Sequence, residues 1–176
     1  MIATPANQAH VLENTLPGAI STKGILWFKM IRFKQGTIDV DLRGKNVFLQ
    51  SFLGIAFHAP DTSAYDLLYF RPFNFRHADT ARRRWSVSYV TYPDHPWDQL
   101  RKDHPLVYEN AVTPVPDPED WFHATIVIKD GWITVYVNHA KQASLRVHLL
   151  NDRQDGMIGL WDDELSGDFA NLVIRQ

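Results

Sequence analysis

Two arginines and an asparagine lie among aromatic residues in segment 71–76, whose sequence is RPFNFR. A guanidinium donates two parallel hydrogen bonds to a hydroxyl pair or a carboxylate, and an amide both donates and accepts. Arg71, Asn74 and Arg76 therefore predict a binding site for a polyhydroxylated ligand such as a sugar. Arg71 would equally serve as a structural side chain that ties the turn at Pro72 to backbone carbonyls. A binding role predicts that Arg71→Ala weakens glycan binding without lowering thermal stability.

Aromatic side chains follow this segment closely. Tyr89, Tyr92 and Trp97 precede or begin a short predicted helix over 97–104, which Pro105 ends. Exposed rings of this kind stack on the apolar faces of sugars while neighbouring polar groups fix the orientation. Tyr89 and Trp97 are therefore predicted ligand contacts, and Tyr92 and Trp97 are the rings expected to be exposed. Three other tryptophans are predicted to lie in the core: Trp121, Trp132 and Trp161.

His58 and Glu109 are candidates for acid–base catalysis. A histidine that acts as a general base needs a neighbouring carboxylate, which Asp66 or Glu109 would supply. Arg101, on the predicted helix, is a candidate partner for Glu109. The alternatives are a half-buried, hydrogen-bonded His58 and a surface ion pair between Glu109 and Arg101.

Asp41 is the third catalytic candidate. It alternates with Asp39 along the predicted strand 36–43, and a period of two places both carboxylates on one face of a sheet. Like charges at this distance would raise the pKa of one carboxyl group if the pair were partly buried, which suits paired carboxylates in catalysis. The alternative is a solvated outer face on which Arg43 is their partner.

The composition excludes several classes of function. A formal net charge of −2 provides no field that would attract nucleic acid or an anionic membrane. The chain has no cysteine, which rules out disulfides, thiolate metal sites and a cysteine nucleophile. Its 8 histidines lack zinc-binding spacings, so neither metal nor cofactor is predicted. No apolar run is long enough to span a membrane, and no signal peptide is visible in residues 1–22, which leaves the compartment open.

The elements that must position these side chains are almost all strands. Segments 51–59 and 65–71 flank a turn and predict a hairpin, and Asp130-Gly131 predicts a second one. The Pro-rich segment 113–120 is expected to cross between sheets. Further predicted strands are 25–33, 85–92, 121–129, 132–138, 145–149, 157–161 and 168–175. Ten or more strands with one short helix predict an all-β fold, a two-sheet antiparallel sandwich or jelly roll formed by a single domain over 1–176. A closed barrel is the alternative.

Three stretches carry a resemblance to a known family: GTIDVD at 36–41, WITVYVN at 132–138, and GLW at 159–161 followed by GDFANLVI at 167–174. In order and spacing they resemble the concanavalin A-like lectin/glucanase superfamily, and within it the bacterial jelly-roll branch near the 3-keto-disaccharide hydrolase and LamG-like domains. The resemblance implies a concanavalin A-like sandwich, a glycan ligand on its concave face, and export in the relatives. None of the 4 glutamates shows the Glu-x-Asp-x-x-Glu spacing of the superfamily's retaining glucanases.

The residues and the resemblance together predict a lectin-like domain that binds an oligo- or polysaccharide. One alternative is a glycoside hydrolase or lyase with a non-standard acid/base pair, so that enzymatic activity is left open. A second alternative is an accessory module that binds a protein through the loop 113–120. The sequence does not specify the sugar or the oligomeric state.

Overall fold

The computed structural model describes residues 9–176 and the backbone of residues 2–3, and within them two antiparallel sheets of seven strands stack face to face. In chain order the strands are β1 (Ile2–Ala3), β2 (His10–Val11), β3 (Ile20–Thr22), β4 (Ile25–Phe33), β5 (Gly36–Arg43), β6 (Ser51–Ala59), β7 (Tyr65–Phe70), β8 (Val87–Tyr92), β9 (Glu109–Asn110), β10 (Phe122–Lys129), β11 (Trp132–Val137), β12 (Leu145–His148), β13 (Gly156–Glu164) and β14 (Gly167–Arg175). The helices are α1 (Pro72–Phe75), α2 (Thr80–Arg83) and α3 (Trp97–Asp103). The first sheet has the order β1-β4-β13-β6-β7-β8-β9, and the second has the order β12-β11-β10-β5-β14-β3-β2. The predicted two-sheet sandwich is confirmed.

The core between the sheets follows from strands that alternate apolar and polar side chains. On β5, Ile38, Val40 and Leu42 are fully buried, whereas the residues between them face outward. They belong to one cluster with Ile55 and Phe57 from the first sheet. Burying a side chain of this size contributes roughly 1.5–3 kcal/mol, so this inner layer holds the two sheets together.

Connections with turn-forming residues appear where the sequence predicts them. Asp130 and Gly131 have φ of 50° and 79°, and they join β10 to β11 as the predicted hairpin. The Pro-rich segment 113–120 runs from β9 in the first sheet to β10 in the second, so it does cross between the sheets. Among the described residues, the helices are too short or too polar to cross a membrane.

The first sheet is unusual in that its outer face is also apolar. A second buried cluster lies there and includes Trp27, Leu67, Val90 and Trp161. Helix α3 packs against this face through Leu100, which is buried in the same cluster. Strands β6, β7 and β8 are therefore buried on both sides, which explains why their sequences read as continuous apolar runs.

Segment 71–76 differs from its prediction as the end of a strand. Strand β7 ends at Phe70, and the chain turns into α1, which begins with Pro72. Proline suits the first position of a helix because its φ is already helical. The N–H group that it lacks would have no acceptor within the helix at this position. This turn places Arg71 at the edge of the outer face and directs the four residues of α1 into the protein, whereas Arg76 after them is exposed.

Asp162 provides a test of the packing between the two sheets, because it lies on β13 of the first sheet and contacts Thr22 on β3 of the second. The side chain is 2% exposed and accepts hydrogen bonds from Thr22 Oγ1 and from the backbone N–H of Gly24. Burial raises the pKa of Asp162 to about 7 from its ordinary value of 3.8. Between these two pH values the folded protein retains a proton that the unfolded chain releases. Stability from this group is therefore present at low pH and is lost as the pH rises toward 7.

We expect Asp162→Asn to remove this pH dependence, because the amide carries no charge. One pKa unit corresponds to about 1.4 kcal/mol, so the effect between pH 4 and pH 7 has an upper bound of about 4 kcal/mol. Thermal unfolding of both proteins from pH 4 to pH 8 measures it, with the exposed neighbour Asp163→Asn as the matched control. Parallel stability curves for wild type and Asp162→Asn would contradict the expectation.

Candidate functional site

A cavity of about 160 Å3 opens on the outer face of the first sheet. Side chains from β6, β7, β8, β13 and α3 enclose it, together with one residue before β6 and one after β7. They are Leu49, Phe52, Tyr69, Arg71, Tyr92, Trp97, Arg101, Trp161 and Asp163. We refer to this site as the aromatic pocket. Rings form most of its wall and charged groups are few, a combination typical of small-molecule sites.

Side chains alternate between the two faces of a strand, and this alternation brings the rings together on one face. On β7 the alternate residues Leu67 and Tyr69 face outward, whereas Leu68 and Phe70 point into the core. Arg71, which follows the end of the strand, also lines the pocket. Strand β13 contributes Trp161 in the same way. In the sheet, Gly54 on β6 lies between Tyr69 and Trp161 in register, and the two ring centroids are 5.4 Å apart. The floor of the pocket is thus built from three adjacent strands.

Gly54 is a site residue that the sequence analysis did not identify. A Cβ atom at this position would lie 2.0 Å from the carbonyl oxygen of Leu68, which is backbone and cannot move aside. Any side chain at Gly54 would therefore push β6 and β7 apart and separate Tyr69 from Trp161. An isolated glycine inside a strand is the available signal, because it marks a close approach of backbone or ligand.

The rings differ in how much surface they offer to a ligand. Trp97, at the start of α3, is 47% exposed and forms the rim. Trp161, which the sequence analysis assigned to the core, is buried but faces the pocket floor rather than the space between the sheets. Tyr92 is half-buried, and burial together with the charge of nearby groups raises its pKa to about 12, so its hydroxyl keeps its proton at neutral pH.

Arg71 lies beneath these rings and is held by the protein itself. The side chain is 5% exposed, and its Nη1 donates to the carbonyl of Trp85 at 2.9 Å and to Ser88 Oγ at 2.6 Å. Its Nη2 donates to the hydroxyl of Tyr69. Burial lowers the pKa of Arg71. The guanidinium fork is therefore directed mainly at internal acceptors, as the structural role predicts.

Glu109 lies behind the pocket wall, between two arginines. Arg101 donates to its two carboxylate oxygens at 2.8 and 2.7 Å, and Arg71 lies 3.7 Å away. Arg101 also stacks over Trp85 and Trp97, at 4.3 and 5.0 Å from the ring centroids. The structure thus brings together Arg71, Glu109 and Trp97 of the predicted site residues, with Arg101 joining them.

Asn74 and Arg76 do not line the aromatic pocket. Asn74 is buried in α1, where its Nδ2 donates to the carbonyl of Trp85 at 3.1 Å. Arg76 is exposed and forms an ion pair with Asp117 at 2.8 Å. The turn into α1 separates both side chains from Arg71, although all three are close in sequence.

Tyr89 and His58 lie on the inner side of the first sheet. Tyr89 is fully buried and its hydroxyl donates to Asp66 at 2.8 Å. His58 Nδ1 lies 3.1 Å from Asp66, and its Nε2 donates to the carbonyl of Lys34 at 2.7 Å. His58 has φ of 49° at a β-bulge, so it faces inward immediately after Phe57. These groups form a buried polar cluster at one end of the sandwich.

A second cavity of about 460 Å3, the end pocket, lies against this cluster. It is lined by His58, Asn151 and Arg153 and by the turns at Lys34 and Gly131. Both ring nitrogens of the histidine that lines the end pocket are therefore already engaged by protein groups, as described above.

Asp41 is on the outer face of the second sheet. Its carboxylate contacts His123 Nδ1 at 2.7 Å and accepts a hydrogen bond from Asn171 at 2.7 Å. Arg43 pairs with Asp168 at 2.9 Å instead of with Asp41. The three catalytic candidates thus lie in three separate regions. Among residues 9–176, no group of three or more histidine or carboxylate side chains is arranged to hold a metal ion.

The two stacked sheets and their strand order define a concanavalin A-like lectin/glucanase fold, shared with sugar-binding and sugar-cleaving proteins. The carbohydrate-binding module CBM66 from Bacillus subtilis superposes with a TM-score of 0.61 over 95% of this chain and 93% of that chain, at 12% identity. A protein of unknown function with a galectin-like fold, also from Bacillus subtilis, superposes with a TM-score of 0.62 over 97% and 87%, at 11% identity. For a β-glucanase from Bacillus licheniformis the TM-score is 0.50 over 97% and 78%, at 12% identity.

No protein-family model matches the sequence, and no curated protein matches it. At identities this low, structural similarity shows the fold and leaves the function to be argued from the site.

Proposed function

We propose that this protein binds a glycan in the aromatic pocket. The observation that carries the proposal is the convergence of five aromatic rings on one cavity beside charged hydrogen-bonding groups. The rings are those of Phe52, Tyr69, Tyr92, Trp97 and Trp161. Sugar rings present apolar C–H faces and polar hydroxyl edges, so they suit a wall of amphipathic aromatic residues with a few polar contacts. The fold supports the proposal because it is shared with a carbohydrate-binding module. On the basis of its strand motifs, we propose that the chain is related to the 3-keto-disaccharide hydrolase and LamG-like domains.

Binding is favoured over glycoside hydrolysis by the position of the carboxylates. Hydrolysis by the usual route requires two carboxyl groups that flank one bond. In the described part of the chain, Asp163 is the carboxylate that lines the aromatic pocket, and Glu109 lies behind it with both oxygens bound to Arg101. Glu109 is therefore not placed to act together with Asp163 on one bond of a ligand in this pocket.

We expect Trp97→Ala to weaken glycan binding at least about tenfold, which corresponds to about 1.4 kcal/mol. The reason is that Trp97 is the most exposed ring of the pocket and would contribute a stacking face to the ligand. Because half of this side chain is already in solvent, the midpoint of thermal unfolding should change little. Affinity electrophoresis against soluble glucans, mannans, galactans, levan and acidic polysaccharides identifies the ligand, and calorimetry then gives the dissociation constants.

Trp121→Ala is the matched control for this experiment. Trp121 is a half-buried tryptophan immediately before β10 of the second sheet, stacked on Arg43 at 4.9 Å, and it lies outside the aromatic pocket. We expect it to bind the glycan as the wild type does. Equal affinity of Trp97→Ala and wild type would place the ligand elsewhere. If wild type binds no glycan but its mass by light scattering rises with concentration, an interaction module becomes the better interpretation.

Release of sugar from the bound polysaccharide tests the enzymatic alternative. We expect no reducing ends to appear when wild type is incubated with its ligand. Product formation that is lost in Glu109→Gln, with unchanged binding, would establish hydrolysis and overturn the assignment as a binding domain.

A further inference from the structure

Asp163 differs from the other charged residues of the aromatic pocket because no cation pairs with it. Among the described residues, no Lys, Arg or His nitrogen approaches its carboxylate as an ion pair, and its Oδ1 accepts the backbone N–H of Glu164 at 3.0 Å. The side chain is exposed and lines the cavity. Its neighbour Asp162 points to the interior, as alternation along β13 requires. Asp163 therefore presents acceptor oxygens and a full negative charge to a ligand.

The two arginines that line the pocket share one carboxylate, that of Glu109. Arg101 donates hydrogen bonds from Nε and Nη2 to Glu109. Arg71 donates to Tyr69, to Ser88 and to a backbone carbonyl. With Glu109 behind them, these groups and Asp163 sum to a formal charge of zero, two positive and two negative. The positive members are tied to protein acceptors, whereas the negative Asp163 is not. Without Asp163 the two arginines and Glu109 would leave one net positive charge at the pocket, so Asp163 supplies the charge that makes the pocket neutral.

We propose that Asp163 makes the aromatic pocket selective for uncharged sugars over uronates and sulfated sugars; this inference rests on the glycan binding proposed above. An ionised carboxylate only accepts hydrogen bonds, so it suits the hydroxyl donors of a neutral sugar. An acidic sugar would bring a second negative charge against it, and juxtaposed like charges reject the wrong partner. The charge of Asp163 also contributes, after burial, to the raised pKa of Tyr92 across the pocket.

The test compares two forms of one polysaccharide that differ only in charge. The neutral polysaccharide that wild type binds best is oxidised at its primary hydroxyls to the uronate, and both forms are titrated by calorimetry at low salt. We expect wild type to prefer the neutral form, and Asp163→Asn to reduce that preference by about two- to fivefold, the range for an exposed charge interaction. Asp130→Asn, which changes the net charge equally on a turn of the second sheet, should leave the preference unchanged.

Three outcomes are decisive. The selectivity is overturned if wild type binds polygalacturonate or alginate as tightly as any neutral polysaccharide. It is also overturned if Asp163→Asn and Asp130→Asn have equal effects on the ratio of the two affinities. In both cases glycan binding itself stands, whereas failure of wild type to bind any member of the panel would refute the proposed function and the selectivity together.

Discussion

Replacing Arg71 by alanine is expected to lower the free energy of unfolding by about 3–5 kcal/mol, which is typical of removing one partner of a buried ion pair. The substitution leaves the buried Glu109 with Arg101 alone and leaves the hydroxyl of Tyr69 and the oxygen of Ser88 without their donor. It also removes the guanidinium that lies 4.6 Å from the ring centroid of Tyr69. Urea unfolding monitored by tryptophan fluorescence measures the change.

Arg76→Ala is the matched control, because Arg76 is a nearby arginine in an exposed ion pair. Exposed pairs contribute about 0–1 kcal/mol, so this variant should unfold close to wild type. Arg71→Lys should recover part of the stability, since it restores the charge but not the planar fork. If Arg71→Ala instead unfolds like wild type and only its glycan binding falls, Arg71 contacts the ligand directly and its proposed structural role is wrong.

Replacing Asp66 by alanine is the second change expected to have a large effect, again about 3–5 kcal/mol of unfolding free energy. Asp66 is fully buried. Its carboxylate accepts hydrogen bonds from Tyr89 at 2.8 Å and from Asn151 at 2.6 Å. It also contacts His58 at 3.1 Å and Arg153 at 3.4 Å. Without it, the buried hydroxyl of Tyr89 loses its acceptor and Asn151 keeps only Thr91 as one, and each unsatisfied buried group costs about 1–3 kcal/mol. The cluster connects β6, β7, β8 and the loop before β13.

Thermal and urea unfolding of Asp66→Ala and Asp66→Asn test this expectation. The asparagine keeps the shape and one acceptor oxygen, so its loss of stability should be smaller than that of the alanine variant. Asp155→Ala serves as the control, since Asp155 pairs with Arg32 on the surface at 2.7 Å. Equal stabilities of Asp66→Ala and Asp155→Ala would show that the cluster contributes little to the fold.

Much of the framework could be predicted because it depends on interactions between residues close in sequence. The alternation along β5, the Asp130-Gly131 hairpin and the start of α3 at Trp97 are local, and all are present in the structure. The exposure of Trp97 also follows from its position at the beginning of a short amphipathic helix. Local propensity and hydrophobic period therefore suffice for the fold class.

Which side chains of the first sheet face the core, and which face outward, could not be predicted in this way. Strands β7 and β8 are buried on both faces, so their apolar runs carry no alternation that distinguishes inside from outside. Tyr69 and Tyr89 have similar sequence surroundings, yet Tyr69 faces the aromatic pocket and Tyr89 faces the core. The outer apolar cluster and α3, which cover that face, are known only from the folded chain.

By itself, the sequence determined a two-sheet antiparallel sandwich and its hairpins, and it predicted a set of rings and arginines as sugar contacts. The tertiary structure alone decided that Arg71 faces internal acceptors, that Gly54 lets Tyr69 approach Trp161, and that His58, Asp41 and Glu109 lie apart. The physical reason is that strand propensity depends on neighbours along the chain. The partner of a buried charge, in contrast, depends on residues that only sheet registration brings within hydrogen-bond distance.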